Sequence, residues 1–192
     1  MTIEEQEQHH YPKVTITDPE TDTEIYIQQK ECQCHHKTLG VYKNILGDDT
    51  YQFRELLKKS NLLAQIAQGA NISNHQARVA FHMIYLPTIS YSLPACSFTL
   101  QQTESIQAKA LERFLPAMGW RRTSSRALVH GPLEFGGYNI PHLFALQGTQ
   151  KMTTMINHIR AKTELGQLFL TNINWIQLLS GRGYTFYPTT IN

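Results

Sequence analysis

The chain has 192 residues, 41% of them hydrophobic and 10% aromatic, which suffices for one packed domain and excludes a largely disordered chain. No apolar run reaches the roughly 20 residues needed to span a bilayer, and the acidic first residues are unlike a signal peptide. Three cysteines form no even disulfide framework. We therefore expect an intracellular, non-membrane protein, with nucleus and cytoplasm both left open.

Charge divides the chain unevenly. Residues 1–31 carry eight carboxylates and two lysines, for a net charge of −6. Residues 32–192 carry fifteen Lys or Arg and seven carboxylates, for a net charge of +8. A positive balance of this kind favours an anionic partner for the larger segment, and nucleic acid is the partner that we expect.

The N-terminal part predicts strands. Apolar and polar residues alternate at 14–16 and again at 25–27, on either side of the turn-forming residues 18–22. This pattern predicts a β-hairpin. Residues 39–42 predict a further extended stretch.

From residue 49 onward the apolar spacing becomes helical. The first helix should be capped by Asp49 or Thr50, the second should open with a capping box at 73–76, and the third should be capped at 99–102. Pro87 should end or kink the second helix. The inward-facing residues are expected to be Phe53, Leu56, Leu57, Ser60, Leu63, Ala64 and Ala67 in the first helix, Ala77, Ala80, Phe81 and Ile84 in the second, and Ile106, Ala110, Leu111 and Phe114 in the third.

Residues 116–141 contain several glycines and prolines and predict a loop-rich segment with a short helix near 125–129. Its glycines, among them Gly131, Gly136 and Gly137, are expected to form turns that need a positive φ. Two more helices should follow. One carries Met152, Met155, Ile156 and Ile159 at helical spacing, and the other should run from Glu164 to Leu179.

Two motifs suggest metal chemistry. The pair Asp48-Asp49 resembles the paired aspartates with which polymerases hold two metal ions, but those need apolar strands on both sides, and here a helix follows. Capping of that helix is the interpretation we favour. Cys32 and Cys34 are soft zinc ligands, but no second ligand pair stands at a diagnostic spacing. We therefore predict no metal site.

The strongest functional signal is a cluster of cations around an aromatic residue. Lys109 and Arg113 are four residues apart and share a helical face, and Arg121, Arg122 and Arg126 follow on a loop with three hydroxyl residues. Trp120 lies among them, and His130 follows as a further member of the cluster. Cations and hydroxyls suit a phosphate backbone, and an aromatic ring suits stacked bases. A solvated basic surface is the competing interpretation.

The order of several short motifs resembles the region downstream of the catalytic palm in reverse transcriptases of non-LTR (LINE-like) retrotransposons. The matching pieces, spread over roughly residues 14–181, stand at 36–41, 85–94, 106–107, 118–122, 129–132, 136–137, 146–148, 158–160 and 175–181.

The resemblance implies that Lys37, Thr38, Leu39 and Gly40 lie in a hairpin that grips the primer end, and that the helices form a thumb on a template–primer duplex. The family's metal-binding aspartates belong to a palm upstream of the matching region. No catalytic residue or cofactor is therefore expected in this chain; Mg²⁺ is implied only for the full-length polymerase, and the missing palm is an expected partner.

The predicted fold is α+β and mainly α-helical, with a small N-terminal β-hairpin followed by a helical bundle. Its parts are a flexible polar leader (1–12), a β-hairpin and primer-grip-like segment (13–48), a thumb-like helical domain (49–181) and an extended tail (182–192). Two other functions stay open: a helical protein-interaction module with an incidentally basic surface, and a metal-supported domain using Cys32 and Cys34.

Overall fold

The computed structural model describes residues 14–17, 24–27 and 33–181. The predictions for the leader, the turn at 18–22, Cys32 and the tail lie outside these residues. Within them the chain is mainly helical and begins with short antiparallel strands, so the predicted α+β, mainly α class is confirmed. No helix in the described ranges combines the length and apolar character that crossing a membrane requires.

The predicted N-terminal hairpin is present. Strand β1 (Val14–Thr17) pairs antiparallel with β2 (Glu24–Ile27), with Val14 opposite Ile27. Each strand is four residues long, one residue longer than the run of alternating residues that predicted it.

A second hairpin replaces the extended stretch expected at 39–42. Strands β3 (His36–Thr38) and β4 (Val41–Lys43) pair antiparallel, and Leu39 and Gly40 form the turn between them. Both turn residues have positive φ, 49° at Leu39 and 86° at Gly40. Two consecutive left-handed residues match the right-handed twist of the flanking strands, which is why a two-residue hairpin turn adopts them.

The helical part follows the predicted order. Both predicted capping boxes are formed, Ser73 with Gln76 and Thr99 with Gln102. The last helix has the predicted bounds, and the short helix near 125–129 is present one residue later. The helices are α1 (Thr50–Gly69), α2 (Asn74–Ala80), a π-helical turn (Phe81–Tyr85), α3 (Leu86–Ser90), α4 (Leu100–Ala117), α5 (Arg126–His130), a 3-10 turn (Leu133–Phe135), α6 (Leu143–Arg160) and α7 (Glu164–Leu179).

Pro87 does not end the helical run, which continues through it to Ser90. The π-helical turn lies directly before it, and the N–H of Leu86 donates to the carbonyl of Phe81, five residues back. This wider turn relieves the clash between a proline ring and the carbonyl four residues before it. It also rotates the inner face: Phe81 and Tyr85 are buried, whereas Ile84, which was expected to face inward, is 56% exposed.

The core forms where α1, α4 and the run from α2 to α3 pack together. The predicted inner face of α4 is fully buried, and the stripe of α1 is buried or half-buried. Ser60 of α1 lies deep in this core, where its hydroxyl donates to the carbonyl of Ile106 and contacts the Tyr85 hydroxyl at 3.0 Å. Burial raises the pKa of Tyr85 to about 12, so this phenol stays protonated in the folded core.

Asp49 joins four segments of the fold. It occupies the N-cap position of α1, but its side chain makes no capping hydrogen bond, so the predicted capping role is wrong. Asp48 supplies that contact instead, accepting from the N–H and hydroxyl of Thr50. The Asp49 carboxylate accepts from Nζ of Lys43 in β4 and from the N–H of Ser97, both at 2.6 Å. The Ser97 hydroxyl in turn accepts from Lys151 of α6.

Helices α6 and α7 pack against each other at the end of the described chain. Only part of the stripe predicted for α6 is buried, since Ile159 is 9% exposed and Met152 is 54% exposed. The outer face of α7 is apolar and exposed, with Leu168, Trp175 and Leu179 each more than half accessible.

Candidate nucleic-acid interface

Arg121 and Arg122 follow the end of α4, at the place where α2 begins. Gly119 makes the reversal after α4: its φ is +83°, and the next N–H, that of Trp120, returns to the carbonyl of Leu115 at 2.8 Å. This is the hydrogen-bond pattern by which a left-handed glycine closes a helix C-terminus. The α2 residue Asn74 packs so closely here that a Cβ on Gly119 would lie 2.5 Å from its Nδ2 atom.

We group five of the predicted binding residues under the name cationic patch: Lys109 and Arg113 on α4, Arg121 and Arg122 after it, and Arg126 at the start of α5. Arg113 is half-buried and the other four are exposed. Lys109, Arg113, Arg121 and Arg126 have no carboxylate within 4.0 Å among the residues that the structure describes. Their charges are therefore available to an anionic ligand in solution.

Arg122 differs from the rest of the patch, because it forms an ion pair with Glu112 of α4. Both residues line a surface groove of about 290 Å³ between α4 and the segment that leads into α5. Arg126 lies on the same groove. Glu112 is adjacent to Arg113 in the sequence, but the prediction considered only the positive residues of this helix and missed it.

Trp120 is placed at the patch but is held by two other side chains. Its indole stacks on the Tyr138 ring with centroids 4.0 Å apart and planes 2° from parallel. The Arg78 guanidinium of α2 lies 4.6 Å from the ring centroid. A stacked ring and a guanidinium this close cannot share one face of the indole, so both faces are taken. A stacked base would have to displace one of them, and Trp120 therefore serves first to hold the patch in place.

Tyr138 reaches Trp120 because the backbone folds back sharply after α5. The N–H of Tyr138 donates to the carbonyl of Leu128, and that of Asn139 to the carbonyl of Gly131. The prediction that Gly131 and Gly137 need positive φ is wrong; only Gly136 of the three adopts it. A Cβ on Gly137 would lie 2.1 Å from the carbonyl oxygen of Gly131, so this pair is required for a close approach of two backbone segments.

Two of the three hydroxyls expected near phosphate are used inside the protein. The Ser124 hydroxyl donates to the carbonyl of Arg121 and contacts the Tyr138 hydroxyl. The Ser125 hydroxyl accepts from the N–H of Leu128, which caps α5. Thr123 lines the groove and is exposed, which leaves it as the better placed hydroxyl for a ligand.

A half-buried histidine, His130, ends α5. The Nδ1 atom of His130 lies 2.7 Å from the carbonyl oxygen of Ile140. Burial lowers the pKa of His130, and the nearby His142 and Arg126 act in the same direction, against the raising effect of the Ile140 carbonyl. The patch therefore takes its charge at neutral pH from lysine and arginine.

The primer-grip-like residues lie at the opposite end of the bundle. Lys37 and Thr38 are exposed on β3, and Leu39 and Gly40 form the hairpin turn. The carbonyl of Leu39 accepts from the Tyr91 hydroxyl at 2.7 Å, which ties the hairpin tip to the residue after α3. A second tie joins the N–H of Tyr42 to the buried Gln52 of α1.

The two predicted binding regions are thus set apart by the helical run from 74 to 90. This run begins beside Gly119 and ends beside the hairpin. At 1.5 Å per residue its length is about 25 Å. A ligand that touched both the hairpin and the arginines after Gly119 would have to span about this distance.

The cysteines do not assemble with other metal ligands in the described part of the chain. Cys34 is exposed and Cys96 is buried. Burial, and then the neighbouring Asp49 carboxylate, raise the pKa of Cys96 to about 11. Among the described residues no group of three His, Cys, Asp or Glu side chains could hold a metal ion.

Comparison of the chain with protein-family models, with curated proteins and with solved structures finds no match. Function must therefore be inferred from the residues of the candidate interface themselves. Three of these were missed from the sequence: Arg78 and Tyr138, which hold Trp120, and Glu112, which pairs with Arg122. Arg78 is 42 positions from Trp120 and Tyr138 is 18, so no local pattern could have joined them.

Proposed function

We propose that this chain binds duplex nucleic acid through its backbone, using the cationic patch, and that it is the primer-grip and thumb-like part of a reverse transcriptase. The proposal assigns no polymerase step to these residues, because the paired aspartates at 48–49 precede a helix and are used to anchor and cap it. Its ligand is an RNA–DNA or DNA duplex, and a palm domain is the expected protein partner.

The observation that carries the proposal is the exposure of the arginines in the segment 121–126. Had they packed into the bundle, the patch would not be a binding surface. Bases in a duplex are paired, so a surface that follows the duplex contacts mainly phosphate and sugar. Arginine suits this task because its planar fork of donors matches phosphate oxygens.

The experiment is a binding titration of the purified chain with a fluorescent 20-base-pair duplex at several salt concentrations. Each phosphate neutralised on B-DNA releases about 0.9 of a counterion, so two lost contacts should flatten the log–log slope by about two. We expect this for the double change Arg121→Ala with Arg126→Ala, and we expect it equally for unrelated duplex sequences.

The matched control removes two lysines from α1, Lys58→Ala with Lys59→Ala, which changes the net charge by the same amount. Lys58 pairs with Glu55 on the surface of the protein. A generally basic surface would lose the same slope in both double variants. That result would contradict a designated patch.

Duplex length provides a second arm of the same experiment. Successive base pairs are 3.4 Å apart, so a duplex must reach about seven base pairs to span the roughly 25 Å between the hairpin and the arginines after Gly119. Lys37→Ala should weaken binding of a 20-base-pair duplex and leave a 5-base-pair duplex, held together by a terminal hairpin loop, unaffected. Equal losses on both duplexes would remove the hairpin from the proposed interface.

A helical protein-interaction module is the second candidate, and the outer face of α7 favours it. Leu168, Trp175 and Leu179 are exposed there, and Glu164 is the one charged residue within α7. Such a face suits an apolar protein surface and not a polyanion. The two functions are compatible, because the α7 face and the cationic patch share no residue.

A further inference from the structure

The cationic patch contains an internal anion. Arg122 is paired with Glu112, whereas the other four patch cations have no carboxylate within reach among the described residues. Both partners of this pair are accessible, with side-chain exposures of 63% for Arg122 and 44% for Glu112. The pair therefore lies where an incoming ligand would meet it.

The surrounding groove suits a phosphate group. Arg122 and Arg126 line it, with the Thr123 hydroxyl between them in sequence, and the Glu112 carboxylate lies along the same wall of α4 as Leu111 and Leu115. A carboxylate resembles a backbone phosphodiester, because each carries one negative charge on two free oxygens and each can bind the guanidinium fork. Glu112 thus holds Arg122 by the same contacts that a backbone phosphate would make.

We infer that Glu112 is a specificity-determining residue of this groove, which occupies Arg122 until a nucleic-acid phosphate displaces it. This inference depends on the proposed function. An exposed ion pair is weak, so an anion carrying other contacts to the patch can replace it. An isolated small anion, held by one arginine, lacks those contacts. The pair therefore favours long polyanions over free phosphate-sized ions.

The test is the isosteric change Glu112→Gln, measured by titration with the same 20-base-pair duplex at low salt. The control is Glu55→Gln, which removes one carboxylate from another surface ion pair, that of Glu55 with Lys58 near the start of α1. From the strength of an exposed pair, Glu112→Gln should raise affinity about two- to fivefold beyond the control. When Arg122 has been replaced by Ala, Glu112→Gln should raise duplex affinity no more than Glu55→Gln does.

Competition with inorganic phosphate distinguishes a free phosphate ion from a nucleic-acid phosphate as the ligand of the groove. Inorganic phosphate should compete with the duplex more effectively for the Glu112→Gln variant than for the unmodified chain, because Arg122 is then free for a small ion. If Glu112→Gln instead lowers duplex affinity, the carboxylate positions Arg122 and the inference is overturned. Equal gains from Glu112→Gln and Glu55→Gln would also overturn it, since net charge alone would explain both.

These outcomes are distinct from failure of the proposed function. If the unmodified chain binds the duplex with a steep salt dependence that Arg121 and Arg126 control, the proposed function stands whatever Glu112 does. If neither the unmodified chain nor the Glu112→Gln variant binds the duplex at low salt, the proposed function and the role of Glu112 are both refuted.

Discussion

Replacing Asp49 by Ala should destabilise the protein more than replacing its neighbour Asp48. The Asp49 side chain is 12% exposed and holds the Lys43 ammonium and the Ser97 N–H at 2.6 Å each. A hydrogen bond to a charged group is worth roughly 1.5–3 kcal/mol, and the lower end applies here because Ser97 is exposed and its N–H can be hydrated. The partly exposed pair with Lys43 adds about 0.5 kcal/mol.

The expected loss is therefore about 2 kcal/mol, which for a chain of this size lowers Tm by about 4–8 °C. Asp49→Asn should lose about half of this, because an amide oxygen still accepts from Ser97. Asp48 lies on the surface, and its contacts with Thr50 are local, so Asp48→Ala should cost less than Asp49→Ala.

Urea denaturation, with the midpoint compared at a common slope, measures these differences. Adding Lys43→Ala to each variant gives a double-mutant cycle, in which Lys43 should couple to Asp49 and not to Asp48. The reasoning is refuted if Asp49→Ala costs no more than Asp48→Ala, or if Lys43 couples equally to both. Either result would mean that Asp49 contributes no more to stability than an ordinary residue at the start of a helix.

Two further predictions concern the end of α4 and the buried thiol. Gly119→Ala should lower the free energy of unfolding by about 1–2 kcal/mol, because alanine is strained at φ +83° and its Cβ would meet Asn74. The same change should weaken duplex binding, because it shifts the arginines that follow. Thermal melting measures the stability loss, and Gly69→Ala is the matched control, since a Cβ there meets nothing within 4 Å. Cys96 should resist iodoacetamide at pH 8 while Cys34 reacts, because a pKa of about 11 leaves about one thiolate in a thousand; mass spectrometry that finds equal labelling of both would contradict the buried position.

The helices could be predicted from the sequence because their signals are local. Capping boxes at Ser73 and Thr99 need contacts only three residues away, and the apolar spacing of α7 is contained within the helix itself. Errors arose where distant residues decide the geometry. Asp49 stands at the start of a helix, where its residue type predicts a cap, but its carboxylate binds Lys43 and the N–H of Ser97 instead. The N–H of Thr50 therefore donates to Asp48.

A similar contrast applies to the inner face of the second helix and to the glycines. The inward position of Ile84 follows from a regular helical period, which the π-helical turn before Pro87 breaks. A glycine-rich sequence predicts turns, and Gly136 adopts one, but Gly131 and Gly137 are needed where two backbone segments meet. Such an approach is a property of the folded chain, and sequence spacing does not reveal it.

In the candidate site, the positions of the cations could be predicted from the sequence, whereas the contacts that hold them in place could not. Lys109 and Arg113 had to share a helical face, and exposed cations after Gly119 were expected. Their fixed arrangement has another origin, because the segment carrying Arg121 and Arg122 is anchored by Trp120, held between Arg78 and Tyr138. Under the proposed function, an anchored patch would lose little conformational freedom on meeting a rigid duplex, so more of its charge would contribute to affinity. Packing thus sets the geometry of the patch, and Glu112 lowers its charge at Arg122, the cation that it pairs.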